Sequence, residues 1–99
     1  MARFLVSLQL PDVFDEDFMA TIPRHRAYID YLIAENIVES YAISAERSRG
    51  WVTINGEDAE EVRVVIEQFP LYDFFHHIEI DELYVFDSIA TRLPRISLN

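Results

Sequence analysis

"VESYAISAERSRGWVTIN", Val38 to Asn55, is the stretch whose reading decides the fold. Its two halves, Val38 to Ala45 and Gly50 to Asn55, read as strands, and the polar "ERSR" between them suits a hairpin. Upstream of it the period is helical: from Asp15, the residues Phe18, Ile22, Ile29, Leu32, Ile33 and Asn36 fall along one stripe, with Asp15 placed to cap the start. Pro23 removes one amide from that ladder. The spacing therefore predicts either a kink or a short acidic turn followed by a helix proper beginning at Pro23. Before the helix, Arg3 to Leu10 alternates, with Phe4, Val6, Leu8 and Leu10 on one face and Leu5, Ser7 and Gln9 on the other, and Pro11 ends the strand.

Downstream of the hairpin, "NGED" is a turn in which Asp58 caps a second helix and Glu61, three residues on, completes a capping box. That helix buries Val62, Ile66 and Phe69 and stops at Pro70. A last strand runs from His76 to Phe86; Ile78 and Ile80 share one face while Leu83 and Val85 share the other. The change of phase at Asp81 and Glu82 predicts a bulge or bend. The order is strand, helix, strand, strand, helix, strand: an α+β, ferredoxin-like βαββαβ domain over 1–86, with a four-stranded antiparallel sheet and a tail over 87–99 that wraps a neighbouring subunit or is partly disordered.

Two helices cover only one face of such a sheet. Leu5 opposite Phe4, Trp51 opposite Val52, and Tyr41 and Ile43 in the other strand place apolar residues on both sides. The expectation is a homodimer that presses two sheets together by their bare faces. A chain of 99 residues has a limited core, and 51% hydrophobic residues is a generous supply for it, which points the same way.

Charge narrows the partners. Eighteen acidic against 8 basic residues give −10, spread along the chain, so phosphate backbones and anionic membranes are excluded as partners. With no cysteine there are no disulfides, no thiolate chemistry and no cysteine-ligated metal. No stretch approaches the ~20 apolar residues of a membrane span, and the apolar run at the N-terminus is too short for a signal peptide, so a cytoplasmic protein is expected.

Several strings are similar to the dimeric α+β barrel superfamily, above all to muconolactone delta-isomerase and the small YciI-like proteins. "FPLYDFFHHIEIDEL" resembles the isomerase closing pattern, a Leu-Pro-Leu-aromatic turn leading into a strand, and "IPRHRAYIDYL" resembles the YciI-like helix start. The resemblance covers roughly residues 3 to 86. It implies a homodimer, in some members assembled into rings, with a cleft between the helix pair and the sheet. It also implies cofactor-free proton transfer on a small carboxylated lactone or carbonyl compound. Of the His and Asp regarded as the reactive pair in YciI-like proteins, the histidine carries over as His25. The aspartate's place, just before the proline of the closing turn, is held by Phe69.

The residues themselves add weight to some positions and remove it from others. His25 lies on the buried stripe, where a titratable ring must find a partner or stay neutral; it is a candidate acid or base, or else a core histidine bonded to a backbone carbonyl or a Tyr hydroxyl. Asp73 is the nearest carboxylate to replace the missing aspartate, with turn formation as its plain role. Arg47 and Arg49 concentrate positive charge and are candidates for gripping a carboxylate. Tyr28 and Tyr72 can donate to a ligand, and Trp51 can wall it. His76 and His77 are strand neighbours that point to opposite faces and cannot chelate one ion together, so no metal and no cofactor is expected. The alternative to an enzyme is an oligomeric metabolite-binding or assembly protein of the same fold.

Overall fold

The computed structural model describes residues 1–89. The elements are β1 (Ala2–Gln9), α1 (Glu16–Ala34), β2 (Val38–Ile43), β3 (Arg49–Gly56), α2 (Ala59–Glu67), a single 3-10 turn (Tyr72–Phe74) and β4 (His77–Glu82). One antiparallel sheet has the order β2-β3-β1-β4, so the two strands that the helices lead into lie at opposite edges. This is the ferredoxin-like βαββαβ fold, as the element order predicts. The tail reading falls largely on 90–99, outside the described residues.

The core lies between the helices and one sheet face. Phe4, Val6 and Leu8 of β1, Val52 and Ile54 of β3, Ile29 and Leu32 of α1, and Val62 and Ile66 of α2 are buried together. The alternation in β1 thus gives its even-numbered residues to the helices, as the period of two requires.

Three local expectations are corrected. α1 begins at Glu16 and runs through Pro23, so the late start at Pro23 is the alternative set aside: Asp15 accepts from the Phe18 amide at 2.9 Å and Phe18 is buried, anchoring the first turn. Pro23 itself sits on the exposed side, where its missing amide disturbs no core contact. Ile33 and Asn36 do not share the buried stripe: Ile33 is 43% exposed, and Asn36 ends the helix with φ of 61°. The Ile37 amide donates to the Leu32 carbonyl and the Asn36 amide to that of Ile33, a Schellman ending that needs a left-handed residue at this point. Asn tolerates that conformation better than other side-chain-bearing residues, so Asn36→Ala is expected to cost about 1 kcal/mol and Asn36→Gly to cost nothing, measured by urea denaturation. Finally, β4 stops at Glu82 in unbroken register with β1, so of the bulge or bend expected there the bulge is absent, and the chain leaves the strand with a bend at Tyr84.

The bulge is in β2. Val38 pairs with Ile54 but Ser40 pairs with Thr53, so Glu39 is an extra residue and the alternation changes phase there. Tyr41 and Ile43 consequently face α1, together with Val38. The open face of the sheet is more polar than expected: Leu5, Ala42 and Trp51 share it with Ser7, Ser40, Thr53, Glu79 and Asp81. A dry, apolar seam is not what this surface offers.

Candidate functional site

α1 presents His25 one turn before Ile29, and the bulge turns Tyr41 toward it. His25 is 2% exposed, and its Nε2 lies 2.8 Å from the Tyr41 hydroxyl. Its Nδ1 is buried without a hydrogen-bond partner among the described residues. A buried polar atom left unpaired costs about 1–3 kcal/mol, and among the buried side chains of the described residues this atom alone bears that cost. The edge of Phe69 stands 5.5 Å from the ring, between centroids, and Phe75 lies on it at 6.4 Å. The position where the resemblance implies a carboxylate therefore gives His25 an aromatic edge.

A cleft of about 220 Å³ opens beside the pair. Its apolar walls are Leu10, Phe14, Phe18, Ile22, Ile43 and Leu71, and its polar groups are His25, Tyr41, Arg26 and Arg47. No acidic residue lines it, although the chain as a whole carries −10. Arg47 reaches it from the turn between β2 and β3, where its backbone has φ of 63° and the Ser44 hydroxyl accepts from the amides of Ser48 and Arg49. Apolar walls with two guanidinium groups and no carboxylate make a lining chemically suited to an apolar body that carries negative charge.

Burial, helped by the nearby Arg26 guanidinium, lowers the His25 pKa to about 4; burial raises that of Tyr41 to about 12. Both groups are neutral at pH 7 and share hydrogen between them. The consequence for stability has a definite sign. Between pH 6.5 and 4 the unfolded chain binds a proton at His25 that the folded chain refuses, so stability is lost as pH falls through that window. The loss is on the order of 3 kcal/mol, and no more is lost from this group below about 4. Urea midpoints at pH 7 and pH 4.5 measure it, and a His25→Gln variant should show a smaller drop over the same interval.

The expected site residues fall in several places. Only His25 and Arg47 meet in the cleft. Asp73, exposed on the 3-10 turn, lines a separate hollow with Tyr72, His76 and His77. Arg49 and Trp51 stack with the guanidinium 5.6 Å from the ring, at and beside the open sheet face. Tyr28 packs at 6.2 Å on Phe69 and on Tyr31. His77 pairs with Glu79 at 3.0 Å on the exposed strand, and no three metal-binding side chains cluster among the described residues. Arg26 was not expected; a Tyr hydroxyl was one of the partners expected for a core His25, and the one that meets it is Tyr41. The stripe offered a signal for Arg26, which adjoins His25; for Tyr41 the bulge concealed it.

No protein-family model matches the chain, and no curated protein matches it. In fold it is similar to the solved structure of 5-chloro-2-hydroxyhydroquinone dehydrochlorinase from Burkholderia phenoliruptrix AC1100, in complex with 2,5-dihydroxybenzoquinone, with a TM-score of 0.66 and 14% identity over 80% of this chain and 90% of that one. Among the described residues no helix is long and apolar enough to cross a membrane. The likeness is one of fold, the ferredoxin-like α+β arrangement that β1 to β4 and the two helices already display.

Proposed function

We propose that this protein is a cofactor-free enzyme that moves a proton on a small carbonyl or carboxylated compound held in the cleft between α1 and β2. The observation that carries the reading is the His25–Tyr41 pair at 2.8 Å, buried beside a cavity lined by Arg26 and Arg47 and no acid. With the ring hydrogen on Nδ1, the Tyr41 hydroxyl donates to Nε2 and its oxygen faces a ligand as acceptor. A proton leaving a carbon next to a carbonyl passes to the Tyr41 oxygen, while the phenol's own hydrogen passes to Nε2. The electron pair moves to the carbonyl oxygen as an enolate, and His25 becomes an imidazolium. Reversal at a neighbouring carbon completes an isomerisation with no net change in atoms or electrons. An anionic ligand favours this step, because its charge offsets the burial and the Arg26 field that hold His25 neutral in the free protein. The structural neighbour acts on a small hydroxylated ring and is bound to a quinone, which supports a flat cyclic carbonyl compound as the ligand.

We assign the open sheet face, with its polar hollow at Ser7, Gln9, Arg49, His77 and Glu79, to a second copy of the chain, joined through hydrogen bonds and ion pairs more than through apolar contact. A second reading, a metabolite-binding protein without turnover, is favoured by the absence of any carboxylate beside His25. The two are separated by incubating the protein in deuterated water with a panel of small lactones, cyclic diketones and keto acids and following exchange of the acidic C–H by NMR. Exchange that requires His25 supports the enzyme; binding without exchange by any member supports the second reading and ends the first.

A further inference from the structure

Tyr41 and Arg26 each line two hollows. Beyond the cleft at His25, a second one of about 190 Å³ continues along the groove between α1 and β2, walled by Ile29, Asp30 and Ile33. From Arg26 to Ile33 the helix rises about 10 Å, room for a short chain of carbons beyond the first cleft. Ile33 lies off the buried stripe of α1, is 43% exposed, and lines this hollow.

We propose that the second hollow is a specificity subsite for an unbranched apolar tail, so that the ligand is a small organic monoanion with a short alkyl substituent. Arg26, common to both hollows, holds the anionic group where they meet. The reacting carbon then lies beside Tyr41, and the tail runs along Ile29 and Ile33. Asp30 is the one acid on this path, and it repels a second negative charge, so a dicarboxylate is disfavoured against a monocarboxylate of equal length. This inference rests on the cleft at His25 being a ligand site.

The test is calorimetric titration of a homologous series of straight-chain α-keto acids, from pyruvate upward, into the wild-type protein and into Ile33→Glu and Ile33→Ala. Each methylene buried should tighten binding about fourfold until the hollow is full. Ile33→Glu should flatten the series, with pyruvate itself bound more weakly than by the wild type because the added carboxylate repels the anion, and Ile33→Ala should flatten it in part. Affinity that does not change with length in the wild type overturns the subsite and leaves the cleft standing. Equal slopes in wild type and Ile33→Glu place the tail elsewhere and overturn it as well. If no member binds the wild type, the subsite is overturned, while the cleft reading stands or falls separately on the exchange panel of lactones and cyclic diketones. Light scattering on the same variants covers the remaining occupant: a loss of mass in Ile33→Glu would assign this surface to a second copy and overturn the proposal.

Discussion

Replacing His25 with Gln is expected to reduce enzyme-catalysed C–H exchange by about a hundredfold to ten-thousandfold, the usual contribution of a positioned acid–base group. Gln keeps a polar side chain within reach of the Tyr41 hydroxyl and fills much of the same space, so the domain should stay folded with a melting point within a few degrees. What it cannot do is accept the phenol hydrogen and return it. The comparison is therefore clean: exchange measured by NMR, and stability by thermal melting, on the same preparations. Exchange equal to that of the wild type would remove His25 from the mechanism and leave the pair at 2.8 Å as a core hydrogen bond alone.

The second large effect concerns Phe69. Its ring is 2% exposed and touches His25 and Tyr28 edge-on, at 5.5 and 6.2 Å between centroids. Truncation to Ala removes those contacts and leaves a void under the end of α2, at a cost of about 3–5 kcal/mol. Against the 5–15 kcal/mol typical of a domain, that is about a fifth of the total or more. The site should register the change too. Space beside the imidazole admits water, desolvation weakens, and the His25 pKa should climb from about 4 toward its ordinary value of 6.5. Urea denaturation and an NMR titration of the ring protons measure the two effects. A loss under 1 kcal/mol with an unmoved titration would show that Phe69 supports neither the core nor the site.

The legible part of the site was the part that depends on one element at a time. His25 follows from helical spacing within α1, where Phe18 and Ile29 fix which side is buried and residue 25 falls between them on that side. Arg47 follows from its place in a short polar turn. Asp73 was expected near His25 as the carboxylate nearest the closing turn and Tyr72 as a donor to a ligand, but the 3-10 turn carries both to another hollow. Tyr28 was expected in the cleft as a hydroxyl able to donate to a ligand. One turn further along, it meets the Phe69 ring instead.

The fold could be read from the sequence because it depends on periodicity, and periodicity is local. Alternation in Arg3 to Leu10, a stripe from Asp15, a hairpin at the centre and a capped second helix leave few ways to arrange four strands and two helices. Which strand residues face the helices is a matter of register, and register belongs to pairs of strands. In β2 a single extra residue at Glu39 reverses the alternation, so Tyr41 turns inward to meet His25 and the open sheet face becomes polar. No spacing within the strand announces that reversal. It exists only because β3 supplies one residue, Thr53 or Ile54, where β2 must find room for another.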